Sequence, residues 1–280
     1  MGALRREIRL AFSQGGRTIE TGRAFRLLKC EGLSATEYET SALAAAGRHG
    51  DAVTGRRALA RYVSAVIDAP AGDREPAVRH FHPFEDGELV ATVNGISRRI
   101  SYAVDRFAVL EGNVWHPRAA FAVRLRCADP FFRHMTDFGR DVAETVPLEA
   151  FPHILPLGRP AFPSYRLHGA SVALDNPGDM EIGLRLEVLA RAPAKGFRFD
   201  VGGARMDVHA EIPAGSVLEV STEPGRKSVS LDGENIIHMA GRDSRFPMLA
   251  RGPGLFRFGA GDGVRNLAVR VFFTPLYLGV

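Results

Sequence analysis

Hydrophobic and polar residues alternate along short stretches of this chain, and glycine, proline, asparagine and aspartate punctuate them. Successive side chains of a strand point to opposite faces, so such alternation marks a strand with one buried face. The clearest case sets Phe121, Val123, Leu125 and Cys127 against Arg124 and Arg126. Asp129-Pro130 stops it, because proline has no N–H for the next ladder bond. Ile8, Leu10 and Phe12 alternate in the same way, and Gln14-Gly15-Gly16 makes a turn. A strand is expected from Ala24 to Cys30, and another from Arg61 to Asp68, apolar on both faces and therefore central. Glu88–Val93 and Arg98–Val104 read as a hairpin joined by Asn94-Gly95. Phe107 to Glu111 continues toward Trp115, read as a core or domain-junction residue rather than a sugar platform. One short helix is predicted: Asp73 caps it, Pro76 sits in its first turn, Val78 and Phe81 pack on the sheet, and Pro83 ends it.

The stretch from Ser34 to Arg61 breaks this rhythm. Ala42-Leu43-Ala44-Ala45-Ala46 has helical propensity, but turn-forming Gly47-Arg48-His49-Gly50-Asp51 follows it. We read an extended excursion with a hairpin tip between His49 and Gly55. Arg48, Arg56, Arg57 and Arg61 cluster around it. They read equally as a solvated basic loop and as a contact surface for another subunit.

Residues 135–163 carry Pro147, Pro152, Pro156, Pro160 and little period-two pattern, as a linker does. Beyond them alternation returns at Leu184 to Val188, Phe197 to Val201, Met206 to Ile212, Leu218 to Val220, Val229 to Leu231 and Leu267 to Phe273. Many short strands with turns between them predict a β-sandwich or jelly roll. The fold expected is mainly β in two domains, 1–134 and 164–280.

Composition changes this picture little. The chain has 280 residues, 45% hydrophobic and 24% charged, which suits a folded protein rather than a disordered one. A net charge of +4, with both signs mixed along the chain, is too small to argue for nucleic acid. No apolar run is long enough for a spanning helix, and Met1 to Ile8 lacks a signal-peptide core, so neither membrane insertion nor Sec export is expected. Cys30 and Cys127 stand outside any metal or redox spacing and are expected to be reduced.

Candidate chemistry is sparse. His80 and His82 are two apart, whereas helical zinc pairs are four apart. Asp175 with Asp179, and Asp232 with Glu234, have the composition of a glycosidase acid and base, but they lie in turn clusters where aspartate bonds its own backbone. Ser13, Ser41, Ser164 and Ser244 sit in no nucleophile elbow. Gly259-Ala260-Gly261-Asp262-Gly263 leads toward a strand rather than the helix of a phosphate loop. No catalytic residue, metal ligand or cofactor is predicted.

Several short motifs recur in a known order: Cys30-Glu31-Gly32-Leu33, Arg74-Glu75, Asn94 to Tyr102, Arg126 to Phe132, Leu174 to Asp179, Gly225 to Val229 and Phe273 to Val280. In that order they resemble the distal tail proteins (Dit) of long-tailed phages, a phage tail family. The resemblance implies an N-terminal β-sandwich-like ring domain and a galectin-like sandwich outside it. It implies a homohexamer at the virion tail tip, made in the host cytoplasm, joining the tail tube to the host-adsorption apparatus while DNA passes through the lumen. The implied partners are tail tube protein, tape-measure protein and hub, fibre or receptor-binding proteins, with host surface glycans as a further candidate. The family's projecting belt falls near residues 40–60, which makes Leu43, Arg48, Arg56, Arg57 and Arg61 the expected subunit interface. Two other readings compete: a carbohydrate-binding sandwich protein, and a glycoside hydrolase with carboxylates across a cleft.

Overall fold

The computed structural model describes residues 7–34, 36–44, 47, 49–110, 117–143, 145–147, 165–167 and 171–280. The chain is mainly β and divides into two compact units, Met1–Met135 with Leu276–Val280, and Thr136–Pro275.

In the first unit the strands are β1 (Ile8–Gln14), β2 (Arg17–Glu20), β3 (Arg26–Glu31), β4 (Tyr38–Ala44), β5 (Asp51–Ala58) and β6 (Arg61–Pro70). Helix α1 (Arg74–His80) precedes β7 (Asp86–Val93), β8 (Ile96–Leu110), β9 (Arg118–Cys127) and β10 (Phe132–Arg133). The main sheet runs β2-β1-β7-β8-β9-β6-β3, every neighbour antiparallel. The alternation seen in sequence is its cause. Phe121, Val123, Leu125 and Cys127 are all buried, as are Val63, Ala65 and Ile67 opposite them, while Arg124 and Arg126 are exposed. Asn94 (φ 50°) and Gly95 (φ 84°) both take positive φ, the turn that matches the twist of a two-residue hairpin. Burial pushes the Cys127 thiol up to about 12, which keeps it neutral.

The helix forms where predicted and Phe81 packs inward as expected, but Val78 does not. Val78 is 43% exposed, whereas Ala77, His80 and Phe81 are buried. Positions 77, 80 and 81 make one stripe by helical spacing, but alanine and histidine are poor apolar markers. Asp73 makes no side-chain capping bond; a 3-10 turn, Ala71–Asp73, leads into the helix instead. Phe81 packs edge-on to Phe12 at 5.3 Å and stacks on Phe107 at 5.5 Å. Gln14, also buried, donates to the carbonyls of His82 (2.7 Å) and Glu85 (2.5 Å) and fixes the loop after the helix.

The second unit comprises β11 (Phe138–Ala143), β12 (Thr145–Pro147), β13 (Tyr165–Leu167), β14 (Ser171–Asn176), β15 (Ile182–Gly183), β16 (Arg185–Ala190), β17 (Ala194–Val201), β18 (Ala204–Ile212), β19 (Val217–Ser221), β20 (Ser228–Leu231), β21 (Glu234–Asn235), β22 (Met248–Leu249), β23 (Gly252–Asp262) and β24 (Leu267–Phe273). One sheet is ordered β11-β24-β16-β19-β20-β21 and another β14-β23-β17-β18. Each buries one face: Leu186, Val188, Leu218, Val220, Val269 and Val271 in the first, Phe197, Phe199, Met206, Val208 and Phe256 in the second. Gly183 is required by close approach, since a Cβ there would lie 2.4 Å from the Cα of Glu223.

Two boundaries differ from the sequence reading. Residues 138–143, read as linker, form β11, with Phe138 stacked on Phe273 at 5.5 Å and Asp141 paired with Arg270 at 2.8 Å. A register shift after Asp141 breaks its period-two pattern and hid the strand. Residues 148–164 of that segment lie outside the described residues. The other difference is β25 (Leu276–Tyr277), which belongs to the first unit and pairs with β10, Phe132 opposite Tyr277. The second unit is thus inserted between two paired strands of the first.

His80 yields a pH prediction. Its Nε2 lies 3.0 Å from the Phe12 carbonyl, so that nitrogen carries the proton and donates. Burial, with a smaller push from Arg17, lowers its pKa below the ordinary 6.5, while the Phe12 bond opposes the shift. The unfolded chain therefore takes up a proton first as pH falls. Its stability contribution is full above about 6.5 and is lost as pH drops toward the lowered folded value. Urea midpoints of the wild type are expected to fall more steeply between about pH 7 and pH 5 than those of His80→Gln, which keeps an N–H donor but cannot titrate. Equal slopes would refute the assignment.

Candidate assembly surface

Among the described residues, strands β4 and β5 pair only with each other, as a sheet separate from the main one. All seven residues of β4 and seven of the eight in β5 are exposed. A two-stranded ribbon with water on both sides is marginal alone. This one nevertheless displays Tyr38 (53% exposed), Leu43 (65%) and Val53 (53%). The register places Tyr38, Ala42, Val53 and Arg56 on one side, and Glu39, Leu43 and Arg57 on the other. Arg57 pairs with Glu39 across the strands at 2.5 Å. Each side thus combines apolar surface with charge.

The base of this arm is held by one side chain. Arg61 is 3% exposed. Its Nε donates to the Pro130 carbonyl at 2.7 Å and its Nη1 to the Gly32 carbonyl at 2.6 Å. Its Nη2 donates to the Thr36 hydroxyl and the Leu278 carbonyl. Thr36 in turn donates to Leu278 at 3.2 Å, and the guanidinium lies over the Phe132 ring at 4.9 Å. Among the described residues no carboxylate pairs with it. Gly32 is obligatory here: its φ is +89°, and a Cβ would sit 2.0 Å from the Tyr62 carbonyl. Leu276–Val280 is held further by Arg98, which lies over the Tyr277 ring at 3.5 Å and donates to Gly279, and by Val280 N–H to the Leu33 carbonyl at 3.0 Å.

The five residues proposed from sequence therefore separate. Leu43 and Arg57 share one side of the arm, and Arg56 is on the opposite side. Arg48 lies outside the described residues. Arg61 is interior and holds the arm in place; as a buried side chain it offers no surface to a neighbour. Its parity with Val63, Ala65 and Ile67 was the available signal. Thr36 and Gln14 gave none, being polar residues whose burial only the tertiary fold reveals.

Several of the candidate chemical groups bond within the fold. Asp232 accepts from Val217 N–H at 2.8 Å, which with Ser216 keeps its carboxyl below the usual carboxylate range. Asn176, between Asp175 and Asp179, is buried and donates to Met180 O at 2.8 Å while its side-chain oxygen accepts from Gly178 N–H at 3.0 Å. His80 is internal, and His82 is exposed against Phe84. Ser13 bonds Thr18 at 2.9 Å, and Ser244 bonds both backbone groups of Asp207. Ser41 lies in the arm; Ser164 and Trp115 lie outside the described residues.

No family model matches the chain, and no curated protein does. Solved structures do. The crystal structure of the Dit protein of phage SPP1, presented as a paradigm of the hub of the adsorption apparatus in phages infecting Gram-positive hosts, superposes with a TM-score of 0.68 at 14% identity, over 96% of this chain and 99% of that one. The chain has the Dit fold. The baseplate of phage P2 in its activated conformation with calcium gives a TM-score of 0.48 at 10% identity, over 97% and 98%.

Within this Dit fold the Arg61 contacts are testable. Arg61→Met leaves the Pro130 and Gly32 carbonyls without their donor and removes one donor each from the Thr36 hydroxyl and from the Leu278 carbonyl, which keeps Thr36; each unmet group is a loss of about 1–3 kcal/mol if it stays buried. Partial rehydration reduces the sum, so a loss of about 3–5 kcal/mol is expected from urea unfolding followed by circular dichroism. Arg61→Lys should recover less than half, because an ammonium lacks the planar fork. An unchanged midpoint for Arg61→Met would refute the role.

Proposed function

We propose that this protein is a structural, non-enzymatic hub of a phage tail tip. In this reading its first unit forms a homohexameric ring that joins the tail tube to the host-adsorption apparatus and leaves a channel for DNA. Tail tube protein, tape-measure protein and fibre or receptor-binding proteins are its partners. The arm carries the proposal. A closed ring of identical subunits needs a head-to-tail contact between two different patches. The arm supplies one patch, with Leu43 and Arg57 on one side and Arg56, Tyr38 and Val53 on the other. A marginal ribbon held at a fixed base gains stability when a neighbour covers it. The overlap with the SPP1 Dit fold along 96% of the chain supports the same reading.

The test is the mass of the full chain in solution. Light scattering and native mass spectrometry are expected to show a hexamer, and electron micrographs a six-fold ring. Leu43→Asp with Val53→Asp should shift that mass to monomer while changing the urea midpoint by no more than about 0.5 kcal/mol, because both residues are exposed in the single chain. A hexamer unaffected by the pair would remove the arm from the interface. A wild type that stays monomeric at all concentrations would remove the autonomous ring.

A further inference from the structure

The outer face of the sheet β14-β23-β17-β18 carries a set of charges that the fold does not use. Cross-strand register lines Ser171, Arg257, Asp200 and Arg205 in one row over all four strands, and Gly259, Arg198 and Asp207 in the next. Phe197, Phe199, Phe256 and Phe258 of the same strands are turned inward. Ser171, Arg198, Asp200, Arg205, Arg257 and Gly259, with Phe199 and Phe258 beneath, line a depression of about 470 Å³, a volume within the range of small-molecule sites.

A sheet face that is merely solvated commonly pairs opposite charges across its strands. Here Arg205 pairs along its own strand with Asp207, at 2.5 Å. Among the described residues Arg198, Arg257 and Asp200 form no side-chain hydrogen bond or ion pair, although they are neighbours in the register. Two guanidiniums and one carboxylate therefore face the depression with their bonding capacity open. Its floor is bare. Gly259 and Gly261 fall on the face of Arg257, and a Cβ at Gly259 would come within 3.0 Å of Arg198 Nε. Glycine inside a strand weakens it and leaves the backbone open to close approach.

The chemistry selects the ligand. With every phenylalanine of these strands turned inward, the face has no exposed Phe, Tyr or Trp ring as a platform for an uncharged sugar; the exposed ring on this side of β18 is the imidazole of His209. A guanidinium fork matches a carboxylate or phosphate in two parallel hydrogen bonds, and a free carboxylate accepts from hydroxyls. We propose that this face binds an acidic saccharide, with its anionic group between Arg198 and Arg257 and a hydroxyl on Asp200. The proposal assigns a use to the glycine-rich run 259–263 and stands apart from the ring.

Calorimetric titration of the full chain at low salt provides the test, with digalacturonic acid, glucose 6-phosphate and uncharged maltose as probes. At least one acidic sugar is expected to bind ten times more tightly than maltose or better. Arg198→Ala with Arg257→Ala should weaken it tenfold or more. Gly259→Val, which keeps both charges but fills the floor, should do the same, while Arg226→Ala in a distant turn should not. Preference between the two acids would distinguish a uronate from a sugar phosphate, and either supports the site. Equal binding of maltose, binding by neither acid, or full binding by the double variant would each overturn it. An unchanged subunit mass across these variants would separate the result from the hub reading.

Discussion

One buried guanidinium holds together segments that are far apart in the chain. Arg61 joins the loop after β3, the base of the arm, the turn after β9 and Leu278, which lies 217 residues further along. A charge out of water is costly unless its hydrogen bonds are met, so each of these segments is held to a narrow position. Burial pulls the arginine below its usual pKa, yet a guanidinium stays protonated in proteins. Its partners are neutral carbonyls, a hydroxyl and the Phe132 ring, and these interactions do not depend on a second group remaining ionised.

The same contact bears on assembly. An arm that projects without support from the main sheet owes its direction to its base. That base is tied by Leu59 N–H to the Glu37 carbonyl at 2.8 Å and by the Thr36–Arg61–Leu278 contacts. In the proposed ring, a fixed base limits the directions the arm must give up on meeting a neighbour, which lowers the entropic cost of each contact. The interior of the first unit and its outward arm are thus coupled through one residue. The second unit, with its own sheets and its own core, contributes a separate exposed face.

Much of the architecture was legible because its strands obey a period of two. The strands around Phe121 to Cys127 and Met206 to Ile212, the Asn94-Gly95 turn and the extended arm form where the pattern places them, but Asp51 to Gly55, read as part of the arm's tip, belongs to β5. What was illegible lacked a periodic or compositional mark. The shift after Asp141 erased the alternation of β11. Ala77 and His80 gave α1 a weak apolar stripe, so exposed Val78 was mistaken for a contact. Arg61 was misplaced because charge usually signals surface, although its phase with Val63 pointed inward. The cluster of Arg198, Arg257 and Asp200 is brought together by the pairing of β17 with β23, which no single stretch of sequence displays.

The place of Leu276–Val280 in the first unit has a temporal consequence. Chains are made from the N-terminus at about 5–20 residues per second, and domains usually fold in the order they emerge. Here the strand partner of Phe132 is Tyr277, and one acceptor for Arg61 is Leu278. The first unit cannot close until all of the second has been synthesised. At those rates a nascent chain spends roughly 7–30 s with Arg61 short of one acceptor. During that interval the base of the arm lacks its last constraint, which in the proposed ring would make a ribosome-bound copy a poor competitor for a place. In the proposed ring, synthesis order would itself act as a checkpoint that favours chains in which both units have been made.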